Sequence, residues 1–215
     1  VTLAQSGKDV GLLDVDIDCP NVVRALAVTE KPEVGEDNRM IPPEAFGVKV
    51  MSMAFFQKKE DEAIIWRGPM IHNAINQLLQ STNWGKLDYL IVDLPPGTSD
   101  SPLTVMQTLS LDGFVVVTTP QDLSKIDALR SINMIKKLNI PVLGVVENFS
   151  GEIFGTGAGE EISNELELPF LGKLALSSDY RDESKPTVLT SDNVRDEYRF
   201  VVSQLELELN KMKNP

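Results

Sequence analysis

Three aspartates carry most of the chemistry that residue types and spacing allow: Asp14, Asp16 and Asp93. Asp14 and Asp93 each close a short apolar, β-rich run, residues 10–13 and 89–92, and Asp16 follows Asp14 by two positions. In an open parallel sheet, ligands sit beyond the carboxyl ends of the strands. Asp14 and Asp16, two apart in an extended chain, point their side chains the same way. Two carboxylates on one side suit Mg²⁺ and a positioned water. Asp93 can add a third acid from a neighbouring strand, as the acid that holds Mg²⁺ does in phosphoryl transfer. Converging carboxylates repel one another, so a divalent cation is expected among them. Asp18 continues the alternation and reads as solvated. The plainer alternative is an acidic loop in a protein with 32 Asp and Glu against 20 Lys and Arg.

After Asp93 and Leu94, the run Pro95-Pro96-Gly97-Thr98 stops the strand and turns the chain. Two more apolar runs end in polar residues, at 119–121 (Thr-Pro-Gln121) and at Glu147-Asn148. Four strand ends are therefore expected to line one edge. No G-x-x-x-x-G-K-[ST] loop occurs in the sequence, and Gly7-Lys8 is followed by Asp9. Without a lysine and a cradle of backbone N–H groups, these residues alone would hold a triphosphate weakly. His72, the single histidine, falls inside a predicted helix and reads as structural or surface. Trp66-Arg67 could offer a cation to a phosphate or a partner, or could be a packed ring beside a solvated charge. Cys19, beside Pro20, reads as a small turn residue, and Met51, Met53, Met106 and Met134 read as core filling.

Positioning these residues takes alternating strands and helices. Strands are expected at 10–13, 48–53, 89–92, 113–118, 141–146 and 170–174. Helices are expected at 21–28, from 69 to about 79 on the apolar positions Met70, Ala74, Ile75 and Leu78, at 101–109, from a Ser124 cap to 137, at 159–166 and at 192–211. Residues 1–5 read as a helix tail and 29–43 as a surface loop. Strands alternating with helices imply βαβ units: an α/β fold with a mainly parallel sheet and helices on both faces, read as one domain over 1–215. Residues 89–92 are expected to form a buried central strand.

A net charge of −12 argues against a broad nucleic-acid footprint. No apolar run approaches the roughly 20 residues of a membrane span. One cysteine excludes an internal disulfide, fits a reducing compartment, and cannot hold a metal cluster alone.

The segments at 10–17 (Val-Gly-Leu-Leu-Asp-Val-Asp-Ile), 64–70 (Ile-Ile-Trp-Arg-Gly-Pro-Met), 87–98 (Leu-Asp-Tyr-Leu-Ile-Val-Asp-Leu-Pro-Pro-Gly-Thr), 117–121 and 143–150 resemble the Mrp/ApbC group of deviant P-loop ATPases. That group is related to MinD and to the nitrogenase iron protein. The resemblance spans nearly the whole chain. It implies a P-loop NTPase-like fold and a cytoplasmic homodimer that binds and hydrolyses ATP with Mg²⁺. It implies a cargo, a [4Fe–4S] cluster passed to apo iron–sulfur proteins, with no nucleic acid or membrane as partner. Residue by residue, it makes Asp16 the group that places the attacking water, and a second Mg²⁺ contact. Asp14 lies in the nucleotide site, Asp93 holds Mg²⁺ through water, Pro95 and Gly97 belong to the segment that senses the γ-phosphate, Asn148 bonds adenine, and Gln121 lies by the nucleotide. Three departures stand out. The lysine-bearing phosphate loop of the group is expected before residue 1. Its C-x-x-C, expected between Ser150 and Gly151, is not in the sequence. A proline near the base is replaced by Ala175. A MinD/ParA-like positioning ATPase, or a binding module lacking both loops, are the competing readings. The first would want a basic or amphipathic tail, and Glu206 and Glu208 offset Lys211 and Lys213 at the chain's end.

Overall fold

The computed structural model describes residues 1–16, 19–56, 68–95 and 100–213. The strands are β1 Val10–Asp14, β2 Glu33–Val34, β3 Met40–Ile41, β4 Glu44–Ala45, β5 Val48–Ser52, β6 Tyr89–Asp93, β7 Phe114–Thr118, β8 Val142–Ser150 and β9 Phe170–Ala175. The helices are α1 Thr2–Gln5, α2 Val22–Ala25, α3 Gly68–Gln80, α4 Asp100–Thr108, α5 Asp122–Lys137, α6 Ala158–Leu166 and α7 Asp192–Lys213. Contacts divide them into two compact units, the first mainly Leu3–Leu109, the second mainly Ser110–Asp182 with Thr187–Pro215.

In the first unit, β1 lies between β5 and β6 and runs parallel to both, while β4 folds back antiparallel on β5. The register sets Asp14 level with Ser52 on one side and Asp93 on the other. The core joins Leu13, Val15, Met51 and Met53 to Ile71, Ile75 and Leu78 of α3 and to Val105 of α4. Each fully buried Ile or Leu there contributes about 2 kcal/mol. The buried stripe of α3 starts at Ile71, not at the expected Met70, which is 47% exposed. Two apolar neighbours made the phase ambiguous, and packing on the sheet resolved it. The expected loop at 29–43 contains a small β2–β3 hairpin, turned at Asn38, whose φ of 58° suits an asparagine.

β6 corrects a second expectation. It is the last strand of its sheet, and Leu90 and Ile91 are 36% and 39% exposed. Among the described residues no strand bonds to its outer edge, so the apolar run is not buried as a central strand would be.

In the second unit, β7, β8 and β9 form a parallel sheet in that order. Ala128, Ile132 and Ile135 are the buried stripe of α5, at helical spacing. On another layer, Tyr198, Val201 and Leu205 of α7 pack on Val146, Leu171 and Leu174. Gln121, not Ser124, takes the cap position of α5; Ser124 lies in the first turn. β8 continues to Ser150, four residues past its expected end, because bulged pairing with β9 carries on to Ala175.

Candidate functional site

The carboxyl ends of β5, β1 and β6 present Ser52, Asp14 and Asp93 in a row. Asp14 is fully buried. Its Oδ1 accepts from the Asp16 backbone N–H at 3.1 Å, and its Oδ2 accepts from the Val22 N–H at 3.3 Å and the Ser52 hydroxyl at 2.8 Å. Burial pushes the Asp14 carboxyl up, the donors from Ser52, Asp16 and Val22 pull it back in part, and the charge of Asp93 pushes up again.

Asp16 is half-buried, and its Oδ1 accepts from the Cys19 N–H at 3.0 Å. The Val15 N–H donates to the Asp93 carbonyl at 3.0 Å, which clamps the start of this loop to β6. Asp93 is exposed to solvent at the end of β6, yet partial desolvation raises its carboxyl, and the charge of Asp16 raises it further. The charge of Asp16 is therefore felt at Asp93 across the two strand ends. The three acids do not form a single cage: among the described residues no group of three or more His, Cys, Asp or Glu is arranged to hold a metal ion. The reason is that Asp14 turns its oxygens to protein donors.

In the second unit, Thr118 ends β7 level with Glu147 of β8. The Thr119 hydroxyl donates to the side-chain carbonyl of Gln121, and Ser124 Oγ lies 2.7 Å from the same hydroxyl. Asn148 is half-buried, and its Oδ1 accepts from the Phe149 N–H at 2.9 Å. Glu147 is fully buried. Its carboxylate accepts from the Thr156 hydroxyl at 3.0 Å, the Gly157 N–H at 2.9 Å and the Gly159 N–H at 2.9 Å. Burial alone would raise this group, but the donors outweigh it and hold it below its ordinary value. The Ser150 hydroxyl donates to Thr156, and Gly151 and Gly155 exchange two backbone bonds, so residues 150–157 form a closed hairpin.

Pro95 is buried at the exit of β6. Gly97, with Pro96, Thr98, Asp18, Trp66 and Arg67, lies outside the described residues. His72 is exposed, 3.0 Å from the Thr108 hydroxyl and 2.9 Å from Asn76, a surface role as expected. Cys19 is exposed. Reading the sequence missed Ser52 and the anchoring role of Glu147. The only sequence signal for Ser52 is a hydroxyl closing the apolar run of β5.

Parallel strands carrying acids at their carboxyl ends, flanked by helices, are an α/β architecture whose ligands sit at that edge. The family described as ParA: NUBPL iron-transfer P-loop NTPase matches residues 1–205, and the chain belongs to it. Its activity is ATP hydrolysis, the activity of that NTPase family. The iron-sulfur cluster transfer protein NUBPL of Dictyostelium discoideum is 39% identical over 226 residues, covering 95% of this chain and 70% of its own length. The iron-sulfur cluster carrier protein of Pseudomonas fragi is 41% identical over 208 residues, covering 90% of this chain and 72% of its own. A solved structure, the nucleotide-binding protein of Archaeoglobus fulgidus in complex with ADP, superposes with a TM-score of 0.69 at 28% identity, covering 99% of this chain and 79% of that one. No helix among the described residues is long and apolar enough to cross a membrane.

Proposed function

We propose that this protein is an ATP-driven iron–sulfur cluster carrier, working as a cytoplasmic homodimer that delivers clusters to apo iron–sulfur proteins. The observation that carries the hydrolytic part is the paired ends of β1 and β6: the register sets Asp14 level with Asp93, the Val15 N–H donates to the Asp93 carbonyl, and the charge of Asp16 adds to the desolvation that raises the Asp93 carboxyl. That donor set fits Mg²⁺, which when bound would bridge phosphate oxygens and offset their charge. Asp93 would hold the ion through a water, and Asp16 would orient the attacking water. Pro95 and Gly97 sit in the segment that would respond to the γ-phosphate. Gln121 and Asn148 supply polar groups for the nucleotide, Asn148 for the base. Residues 1–215 contain no lysine-bearing glycine-rich loop, so the phosphate cradle of the family is assigned to chain outside them.

The cargo reading rests on the family and on relatives named as cluster carriers. The single thiol, Cys19, does not make a cluster site: two copies bring two thiols, against about four ligands for a [4Fe–4S] cluster. The remaining ligands are expected from other segments or from the acceptor. The test joins Mg²⁺-dependent ADP release to anaerobic reconstitution with iron and sulfide. Expected are hydrolysis lost by about 100-fold in Asp16→Asn, in line with the loss of one positioning interaction at a transition state, and about four irons per dimer transferable to an acceptor. Hydrolysis without retained iron would remove the carrier role and leave a bare ATPase.

A further inference from the structure

Asp14 shares its strand end with the acids assigned to hydrolysis, yet none of its surface meets solvent. Its two oxygens are taken by three protein donors: the Asp16 N–H, the Val22 N–H and the Ser52 hydroxyl. Ser52, equally buried, accepts from the Ala54 N–H at 3.1 Å. A hydroxyl has one proton. With Ala54 donating to its oxygen, the Ser52 proton is directed to Asp14, 2.8 Å away. The result is one continuous chain of bonds from the exit of β5, through Ser52 and Asp14, to Asp16 and the start of α2.

We propose that Asp14 and Ser52 are a positioning pair. They tie the exit of β5 to the exit of β1 and so fix where Asp16 stands. The proposal rests on the reading of Asp16 as the residue that orients the attacking water. Asp14 acts at two points on the loop it holds. Its bond to the Asp16 N–H sets the backbone that aims the Asp16 side chain, and its bond to Val22 fixes the far end of the same loop. Asp16 is then braced once more, by the Cys19 N–H on its own carboxylate. Burying a carboxylate is costly unless donors surround it. Removing the Ser52 hydroxyl leaves Asp14 one donor short in a buried place, and the carboxylate is free to rotate toward its remaining partners. A shift of that kind misplaces Asp16 without touching the nucleotide, so it acts on turnover and not on binding.

The experiment is steady-state Mg·ATP hydrolysis by the protein and its Ser52→Ala, Ser52→Thr, Ser52→Cys and Asp16→Asn variants, with Mg²⁺ titrated in each. Expected for Ser52→Ala is a kcat about tenfold lower, with KM for ATP and the half-maximal Mg²⁺ concentration within about twofold of the parent. Ser52→Thr keeps the hydroxyl on a residue that suits a strand and restores most of the turnover. Ser52→Cys, a weaker donor of similar shape, falls between, and serves where the alanine variant does not fold. Parental kcat in Ser52→Ala or Ser52→Cys, with only thermal stability reduced, overturns the pair as a positioning device. So does a raised KM at unchanged kcat. If Asp16→Asn turns over like the parent, the reading of Asp16 fails and the proposal falls with it. A slow Asp16→Asn beside a parental Ser52→Ala overturns the pair alone.

Discussion

Asp14 in β1 and Glu147 in β8 are both fully buried carboxylates, each wrapped by donors from the chain that follows its strand. Their ionisation is nevertheless shifted in opposite directions, Asp14 upward and Glu147 downward. The difference lies in how burial weighs against the donors. Glu147 collects two backbone N–H groups at the start of α6 and the hydroxyl of Thr156, itself braced by Ser150, and repulsion from another acid plays no part in its shift. The start of a helix also favours a negative charge. Asp14 has three donors too, but its burial outweighs them, and Asp93, level with it on the next strand, adds a smaller repulsion. A carboxylate that only braces a hairpin can be given every donor it needs. One buried beside another acid keeps a repulsion that its donors do not remove.

The largest effect should come from breaking the well-satisfied end. Glu147→Ala takes the acceptor from the buried Gly159 N–H, the half-buried Gly157 N–H and the exposed Thr156 hydroxyl, at a cost of about 3 kcal/mol. Urea unfolding measures the loss, and amide exchange should speed up through residues 150–159. A loss below about 1 kcal/mol would mean that the hairpin closes without Glu147. Gly159→Ala sharpens the same point with a smaller change. An added Cβ would meet Glu147 Cβ at 2.9 Å and the Phe170 ring at 3.1 Å. Alanine gains about 1 kcal/mol over glycine inside a helix, whereas forcing atoms into a packed site costs about 1–3 kcal/mol. The clash should win by about 1 kcal/mol, read as a lower urea midpoint. A stabilised variant would show that α6 can shift away from Glu147.

The strands that frame both carboxylates were legible because each is a short apolar run, as parallel strands flanked by helices must be. The acids themselves were legible too, since Asp14, Asp16 and Asp93 follow such runs directly. What each acid touches was not. Ser52 is an unremarkable residue closing β5, and only the register that sets it level with Asp14 reveals the bond. The donors to Glu147 lie ten and twelve residues further on, at Gly157 and Gly159, and no local pattern pairs them with a strand residue. The exposure of β6 was hidden for a similar reason. Tyr-Leu-Ile-Val reads as buried in any sequence, whereas burial depends on which strand bonds to each edge. In α3, adjacent Met70 and Ile71 allow two phases of the same helical stripe, and only contact with Met51 and Met53 chooses between them.

The subtlest test uses pH, because the opposite shifts must give opposite signs. Glu147 ionises more easily in the folded protein than in the unfolded chain. Its contribution is complete above the ordinary glutamate range and is lost as pH falls through the depressed folded value. Asp14 holds its proton more tightly when folded. The folded state therefore gains relative stability as pH falls from the raised Asp14 value toward the ordinary aspartate range, and loses it again on the way up. Glu147→Gln and Asp14→Asn remove one carboxylate each, so subtracting each variant from the parent isolates Glu147 in the first case and Asp14 with its coupling to Asp93 in the second. With metal chelated, the stability gap between parent and Glu147→Gln should narrow from pH 7 to pH 3, and the gap between parent and Asp14→Asn should widen. Urea midpoints at each pH give both curves. Two gaps moving in the same direction would end the contrast between the sites, since no shared acid effect survives the subtraction.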